Sequence, residues 1–499
     1  MRSLPVRLLF AVVLLSGSAV GVWHLAAAEP AAVANKPVTV STSMAECKAC
    51  HSGADQVGVR DFVNKFQSNQ FLRLDESEIW EHHDPHSKAF AVLKDPKNAK
   101  LIERMSATLK YDVTTDSRCL TCHATDTHRE QQRFDTSNGV GCAGCHGLQQ
   151  DWQTEHYRSK SGTEIEWRTM DPHKKSTEYG LKNLRDPATK AAVCASCHVG
   201  NAAEGKVISH EMYSAGHPPL PPLELMAFLD DQPKHWKLPS ELPYFTDAKN
   251  ADKLKLFSVL PGDDIRARHF AIGAIASLQA EAKLLKHEAE EAMAKQSGLN
   301  YARFDCYACH HDLKLPSDRQ KRGYPGAPGR PPLKAWNGAL AGVVATFLGD
   351  DATFKKAWDD AQTAAYDQPY GNPKMLIESA TVIDKWCTAT IAKLNTPLLA
   401  KDTKAMLDTI ATLLKDEKTL ADPEAAMALL WAYKAMTGGD AAAWAKIKKE
   451  LPVSPQDAAD AKRGTPWTAG ELGPDRMIRF NGFDATRFLK VQPLPGETK

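Results

Sequence analysis

The chain has 499 residues, of which 25% are charged and 43% are hydrophobic. This composition is typical of a globular protein, and the length is sufficient for two or three domains. Lysine and arginine number 62 against 61 aspartates and glutamates, so the charge balance argues against nucleic acid as a partner.

The N-terminus has the pattern of a secretory signal. Arg2 and Arg7 precede a mostly apolar run, and three alanines ending at Ala28 offer small residues for cleavage. We therefore expect residues 1–28 to be a signal peptide, residues 29–44 to be a linker, and the mature chain to be exported to the periplasm. The alternative is an uncleaved anchor, which would be the chain's membrane contact, because no later stretch is apolar enough to span a bilayer.

Ten of the eleven cysteines fall into five C-x-x-C-H motifs. This is the attachment signature of c-type haem: two thiols bond to one porphyrin, and the next histidine becomes the proximal iron ligand. The cysteines predicted to bind haem covalently are Cys47, Cys50, Cys119, Cys122, Cys142, Cys145, Cys194, Cys197, Cys306 and Cys309. The predicted proximal ligands are His51, His123, His146, His198 and His310. The sequence thus predicts five c-type haems, and it leaves Cys387 as a buried structural thiol.

Zinc is the alternative for part of this pattern. The pairs Cys119/Cys122 and Cys142/Cys145 have the spacing of a zinc ribbon. A ribbon needs no histidine after each second cysteine, yet one follows all five pairs here, and an odd number of pairs leaves one unmatched. The motifs therefore favour haem.

The motifs divide the chain into two parts. All five lie between Cys47 and His310, which leaves roughly 50 residues per haem. So short a segment builds little side-chain core, and we expect the porphyrins to supply it. The sequence predicts a pentahaem domain over residues 45–323, containing a long helix over 264–297, and a Pro/Gly-rich linker over 324–335.

The remainder is rich in alanine, leucine and lysine and carries no motif. It is predicted to form a helical bundle over 336–450, followed by a loop-like tail over 451–499. Helices are expected at 336–348, 353–366, 374–393, 397–415, 423–437 and 440–450. No series of strands is evident, so the fold class is mainly α: a multihaem cytochrome c domain followed by a C-terminal helical bundle.

The ligand on the second face of each iron decides function, because two histidines give a closed electron-transfer site whereas an open position admits substrate. Twelve histidines remain after the proximal ligands and His24 of the signal. Candidate distal ligands are at least one of His82, His83 and His86, with His86 the candidate carried forward, together with His156, His210, His217 and His269. The last shares an apolar helical face with Ile265 and Ile272, and an ordinary core histidine is the alternative there. His287 is expected to be solvated, and His128, His173 and His235 carry no usable pattern and are interpreted as surface residues.

The chain resembles the cytochrome c-554 / c-prime family, within the wider group that includes octahaem hydroxylamine oxidoreductases. The resemblance covers about residues 45–335 and rests on Asp84-Pro85-His86-Ser87, Gly141 to Gly147 with Trp152 and His156, Met212 to Pro218, and Cys306 to Asp312. It implies a mostly helical fold with haems in stacked and perpendicular pairs, and electron transfer between periplasmic enzymes and membrane acceptors. Carried over by position, it implies that His86, His156, His210 and His217 are distal ligands. The family is built around four haems, whereas this chain has five motifs and a C-terminal bundle outside the family core.

Together these features favour an electron carrier with mainly bis-histidine haems that exchanges electrons with redox partner proteins. The alternative is an oxidoreductase acting on hydroxylamine or nitrite at one open haem, although no catalytic residues and no C-x-x-C-K motif are identified. A third hypothesis is a docking subunit of a respiratory complex, with the helical bundle as its contact surface.

Overall fold

The structure is a computed structural model. It describes residues 44–53, 57–66, 71–125, 138–147, 152–159, 162, 165–238, 241–310, 315, 323–324, 326–327, 329–438, 441–462 and 485–496. The predicted signal peptide and almost all of the predicted linker lie outside these residues, as do His128 and His311. Of the helices described, none has the length and apolar character needed to cross a membrane.

Short helices and 3-10 turns make up the motif-bearing part. The α-helices are α1 Met44–His51, α2 Val57–Phe66, α3 Glu76–His83, α4 Ala91–Lys94, α5 Ala99–Leu109, α6 Ser117–His123, α7 Cys142–His146, α8 Pro172–Tyr179, α9 Pro187–His198, α10 His210–Ala215, α11 Leu225–Asp231 and α12 Pro243–Thr246. Several begin at a capping aspartate: the carboxylates of Asp116, Asp171 and Asp186 accept backbone N–H groups at the starts of α6, α8 and α9. Such caps satisfy donors that a short helix would otherwise leave unpaired.

One long helix, α13 Ile265–Lys295, joins the two parts of the chain. Asp264 caps it by accepting hydrogen bonds from the backbone N–H groups of Arg266 and Ala267. The prediction of a helix over 264–297 is confirmed to within two residues at each end. Its buried face, which includes Phe270 and Ile275, packs against α9 and against the helices that follow.

The C-terminal part is helical, as predicted. Its helices are α14 Trp336–Phe347, α15 Asp351–Tyr366, α16 Pro373–Lys393, α17 Ala400–Leu413, α18 Glu417–Leu420, α19 Pro423–Thr437, α20 Ala441–Lys448, α21 Pro455–Lys462 and α22 Ala485–Lys490. The last two fall in the tail that the sequence predicts to be loop-like. They are fixed by packing, since Leu451, Val453 and Phe488 are buried in the main core.

A single hydrophobic cluster runs from α9 and α13 through the C-terminal helices. Residues on both sides of the predicted linker over 324–335 contribute to it. Smaller separate clusters lie among the first helices. The described residues contain two isolated β-bridges, Asn201 with Lys206 and Phe304 with Leu333, and no strand. The fold is mainly α.

Candidate haem sites

Four of the five motifs occupy the last turn of a short helix. Helices α1, α6, α7 and α9 end at His51, His123, His146 and His198, respectively. The fifth motif lies on a 3-10 turn, Cys306–Ala308, which is capped by Asp305. Helical geometry places residues three apart on the same face, so both cysteines of each helical motif point to one side, with the histidine following them.

No disulfide joins any of the eleven cysteines, all of which lie in the described residues. The ten motif cysteines therefore remain available for attachment to haem, in keeping with the interpretation of the motifs. Cys387 is buried in α16, as predicted for a structural thiol, and burial raises the pKa of its thiol.

Each motif histidine faces one other histidine. The pairs are His51 with His156, His123 with His217, His146 with His235, His198 with His86, and His310 with His210. Their ring centres are 6.4, 6.3, 6.4, 6.1 and 6.4 Å apart, in the same order. Five independent pairs thus share one spacing, although the partners lie on different elements and at different distances along the chain.

This spacing is that of two imidazoles on opposite sides of one metal ion. A ring whose nitrogen binds a metal at about 2.0–2.1 Å has its centre about 3.2 Å from the metal. Two such rings on opposite faces have centres about 6.4 Å apart, too far for direct hydrogen bonding between their nitrogens. The histidine pairs therefore fit the two axial ligands of a haem iron. Within the described residues, no three Cys, His, Asp or Glu side chains converge as a zinc site requires.

The second ring nitrogen of many of these histidines is held by the protein. Nδ1 of His51 donates to Oε2 of Glu76 at 2.9 Å, and Nδ1 of His86 donates to Oδ1 of Asp84 at 2.8 Å. Backbone carbonyls accept from the Nδ1 atoms of His123, His156, His217 and His235. A hydrogen bond at Nδ1 fixes the tautomer and orients Nε2 toward a metal, as is usual for metal-binding histidines.

Electrostatics divides the histidines into two groups. Burial lowers the pKa of His146, His198 and His217 to about 4, which keeps these imidazoles neutral, the form that binds iron. Burial also acts to lower the pKa of His51 and His86, but hydrogen bonds to Glu76 and Asp84 outweigh it and raise the pKa of both. A carboxylate at Nδ1 increases the basicity of a ligand histidine.

The structure brings four of the five predicted distal ligands, His86, His156, His210 and His217, opposite motif histidines. It does not bring His269 there. Nδ1 of His269 bonds to the carbonyl of Ile265 at 2.7 Å, and Nε2 lies 3.2 Å from Nζ of Lys190. Both ring nitrogens are therefore engaged by protein atoms.

His235 takes the fifth place, opposite His146. It lies in the loop after α11, so helical periodicity cannot mark it. A usable signal was the neighbouring Trp236, whose ring lies 5.2 Å from that of His235. None of the other described histidines faces a motif histidine: His82 and His83 are exposed sequence neighbours with ring centres 6.5 Å apart, His173 is exposed, and His287 lies 3.9 Å from Glu291.

Attachment cysteines of different motifs are neighbours. The thiols of Cys47 and Cys142 hydrogen-bond, as do those of Cys122 and Cys197. The thiols of Cys145 and Cys194 also lie near each other. The first motif therefore adjoins the third, the third adjoins the fourth, and the fourth adjoins the second.

Residues 46–147 match the family model described as cytochrome c554 and c-prime. This match, over about a fifth of the chain, supports a c-type cytochrome similar to that family. The match contains the first three motifs, together with His86. As a c-type cytochrome, the protein holds iron as covalently bound haem c and serves electron transfer. No curated protein and no solved structure matches the chain significantly.

Proposed function

We propose that this cytochrome is an exported, pentahaem electron carrier whose five haems are all ligated by two histidines. The observation that carries the proposal is the common spacing of 6.1–6.4 Å in the five histidine pairs. The signal pattern at the N-terminus supports export to the periplasm. The ligands at the third site in this proposal are His146 and His235, so His235 rather than the sequence-based candidate His269 is the fifth distal ligand.

The chain's own residues account for a closed site. In each pair the two imidazole rings face each other across the space that a haem would occupy. Hydrogen bonds from ring nitrogens to backbone carbonyl or carboxylate oxygens fix the orientation of these rings. Haem supplies the redox chemistry when bound, and paired histidines keep its iron low-spin and without a substrate position. The alternative of hydroxylamine or nitrite chemistry at an open haem requires one unopposed motif histidine. All five motif histidines have an opposing ring.

The contacts between motifs support electron transfer rather than five isolated sites. They place the motifs in a row: first, third, fourth, second. The fifth adjoins the second through α10, because His210 opens this helix and His217 follows its end. Among the motif cysteines, Cys50 and Cys309 are exposed, and they belong to the first and fifth motifs. The two ends of the row are therefore where redox partner proteins would exchange electrons.

The test is to count the haems and define their spin state. Mass spectrometry of the natively matured protein is expected to give the polypeptide mass plus five haems. Electron paramagnetic resonance is expected to show low-spin iron throughout, and added nitric oxide is expected to leave the spectra unchanged. A mass without haem, or with zinc, would overturn the proposal, and a high-spin haem that binds nitric oxide would favour the oxidoreductase.

A matched pair of variants tests the ligand assignment. His235→Ala removes one imidazole opposite His146 and is expected to convert one haem of five to a high-spin form. His269→Ala removes a buried histidine of the same size from the same region and is expected to leave every haem low-spin. The reverse result would restore His269 as the ligand and contradict the arrangement of the third site.

A further inference from the structure

Three cations gather beside the third site without an acidic partner. Lys175 lies in the middle of α8, Arg185 lies in the connection between α8 and α9, and Lys190 lies in α9 one turn before Cys194. All three side chains are only partly exposed, and their charges repel: Arg185 acts to lower the pKa of both lysines. In the described part of the chain, none of them forms an ion pair with an Asp or Glu side chain, whereas Lys174 and Lys206 do.

Aromatic rings line this cluster. Nζ of Lys175 lies 5.3 Å from the ring centre of Trp167, Cζ of Arg185 lies 5.4 Å from that of Phe257, and Nζ of Lys190 lies 5.9 Å from that of Trp236. Cation–aromatic contacts of this kind attract the cation toward the face of the ring. They do not neutralise charge, so three positive groups remain together in a partly buried position.

The surrounding backbone places the cluster at the third motif. The N–H of Lys182 donates to the carbonyl of His146 at 3.0 Å, and the carbonyl of Gly180 lies so close to Gly147 that a Cβ there would be 2.2 Å from it. The segment between Lys175 and Arg185 thus lies directly against the motif. From the other side, Trp236 under Lys190 is the neighbour of His235.

His269 orients the third cation. Because its Nδ1 donates to the carbonyl of Ile265, its Nε2 is an acceptor, and Nζ of Lys190 donates to it at 3.2 Å. Burial lowers the pKa of His269 to about 3, so it remains a neutral acceptor and does not repel the lysine. The buried histidine on the apolar face of α13 is thereby a positioning residue for Lys190.

Acids near the cluster are already committed. The carboxylate of Asp171 accepts the N–H groups of His173 and Lys174, and that of Asp186 accepts from the backbone and hydroxyl of Thr189. Burial lowers the pKa of Lys175 and Lys190 to about 8, because the attraction of Asp171 and Asp186 offsets only part of the cost of burying these charges. A buried charge of this kind normally has a partner.

We infer that Lys175, Arg185 and Lys190 form a carboxylate-binding site that takes the propionates of the haem at the third motif. This inference rests on the proposed function, since it requires a haem between His146 and His235. Each haem has two ionised propionates, and a guanidinium or ammonium group is the usual partner of a carboxylate. The cluster has the required charge and lies against the motif on both sides.

The test follows the third haem alone. In a His235→Ala background this haem gives the high-spin signal, so a redox titration of that signal reports its potential directly. Lys190→Met, Arg185→Gln and Lys175→Met are each expected to lower the potential. The oxidised haem carries one more positive charge than the reduced haem, so removal of a nearby cation stabilises the oxidised form relative to the reduced form. The expected change is about tenfold in the reduction equilibrium constant, which is about 59 mV for one electron.

Lys174→Met is the matched control. Lys174 precedes Lys175 on the same helix but is exposed and lies 3.7 Å from Glu178. It is expected to leave the potential unchanged, and mass spectrometry should still count five haems in every variant. An equal shift in Lys174→Met, no shift in the three variants, or a shift in another haem would overturn the inference. If one variant loses the haem, the other two still decide the outcome.

A further measurement distinguishes haem propionates from a free anion as the ligand of the cluster. If propionates occupy the cluster, inorganic phosphate added at constant ionic strength leaves the potential of the third haem unchanged. If phosphate shifts that potential in the parent and not in Lys190→Met, the cluster binds a free anion, and the propionate assignment is wrong. A protein without haem would instead overturn the proposed function, a result that the mass alone reveals.

Discussion

The motif-bearing part and the C-terminal helices have hydrophobic cores of different kinds. In the first part, small clusters such as Val63 with Leu74 and Phe90 with Leu120 lie apart, separated by paired histidines. In the second, fully buried residues such as Trp431 belong to one continuous cluster that extends back into α13. The comparison indicates that the motif-bearing part depends on haem for much of its apolar contact, whereas side chains alone form the core of the C-terminal part.

Omission of haem should produce the largest difference between the two parts. In protein produced without haem attachment, we expect α1 to α7 to lose protection from hydrogen exchange, because these helices then have no porphyrin to pack against. Helices α14 to α19 should remain protected, since their core consists of side chains. Hydrogen exchange followed by mass spectrometry, with the haem-loaded protein as control, measures both. Equal loss in the two parts would show that their folding is inseparable.

Truncating the largest buried side chain tests the second part. Trp431 is fully buried, and its Nε1 donates to the carbonyl of Pro452 at 3.2 Å. Trp431→Ala is expected to reduce the free energy of unfolding by about 3–5 kcal/mol. Leu489→Ala, at a side chain that is 59% exposed, should change it by less than about 0.5 kcal/mol. Denaturation followed by circular dichroism compares the two, and similar losses would contradict the continuous core.

The junction between the parts should respond to pH through Glu224. This residue caps α11, which packs against both α13 and α19, and burial raises the pKa of its carboxyl to about 7. In the unfolded chain that pKa is about 4.3, so the stabilisation is complete below about pH 4 and is lost as pH rises through about 7.

The expected loss is on the order of 3 kcal/mol in the free energy of unfolding. Glu224→Gln keeps the shape of the side chain without its titration, and it should remove this part of the pH dependence. The measurement is the difference between parent and variant in denaturant unfolding across that pH range. A difference that is constant with pH would show that the carboxyl ionises normally.

A smaller effect is expected at the third motif, where backbone segments touch. Gly147 has φ +89°, and a Cβ there would lie 2.2 Å from the carbonyl oxygen of Gly180. Gly329 has φ +81° with no atom within 4 Å of the added Cβ, so Gly329→Ala carries similar backbone strain without the clash. Gly147→Ala should cost about 1–3 kcal/mol more in unfolding free energy than this control. Equal costs would mean that the contact relaxes freely.

Local rules in the sequence predict much of this fold. Asp264 marks the start of α13 because an aspartate side chain satisfies the first backbone donors, and the absence of proline lets the helix continue to Lys295. The motif histidines could likewise be identified from spacing alone, since attachment chemistry fixes that spacing. Helices α21 and α22 could not, because contacts of Val453 and Phe488 with distant residues hold them.

The distal histidines show most clearly what sequence patterns do not predict. His269 lies on an apolar helical face, and periodicity correctly indicates burial, but burial does not say what the ring contacts. His235 lies in a loop, and its place opposite His146 depends on the path of the chain between α11 and α12. Ligand pairing is a tertiary property, whereas periodicity reports only local direction.

The order of the histidine pairs along the chain bears on how the protein is assembled. For the fourth and fifth pairs the opposing ring, His86 or His210, comes before its motif, whereas the first three motifs face rings that come later. A chain exported from its N-terminus therefore completes its first pair at residue 156 and its fourth at residue 198, before the second and third at residues 217 and 235. Maturation enzymes would consequently meet the second and third motifs while the opposing histidine of each is still absent, and these two sites would close after the fourth.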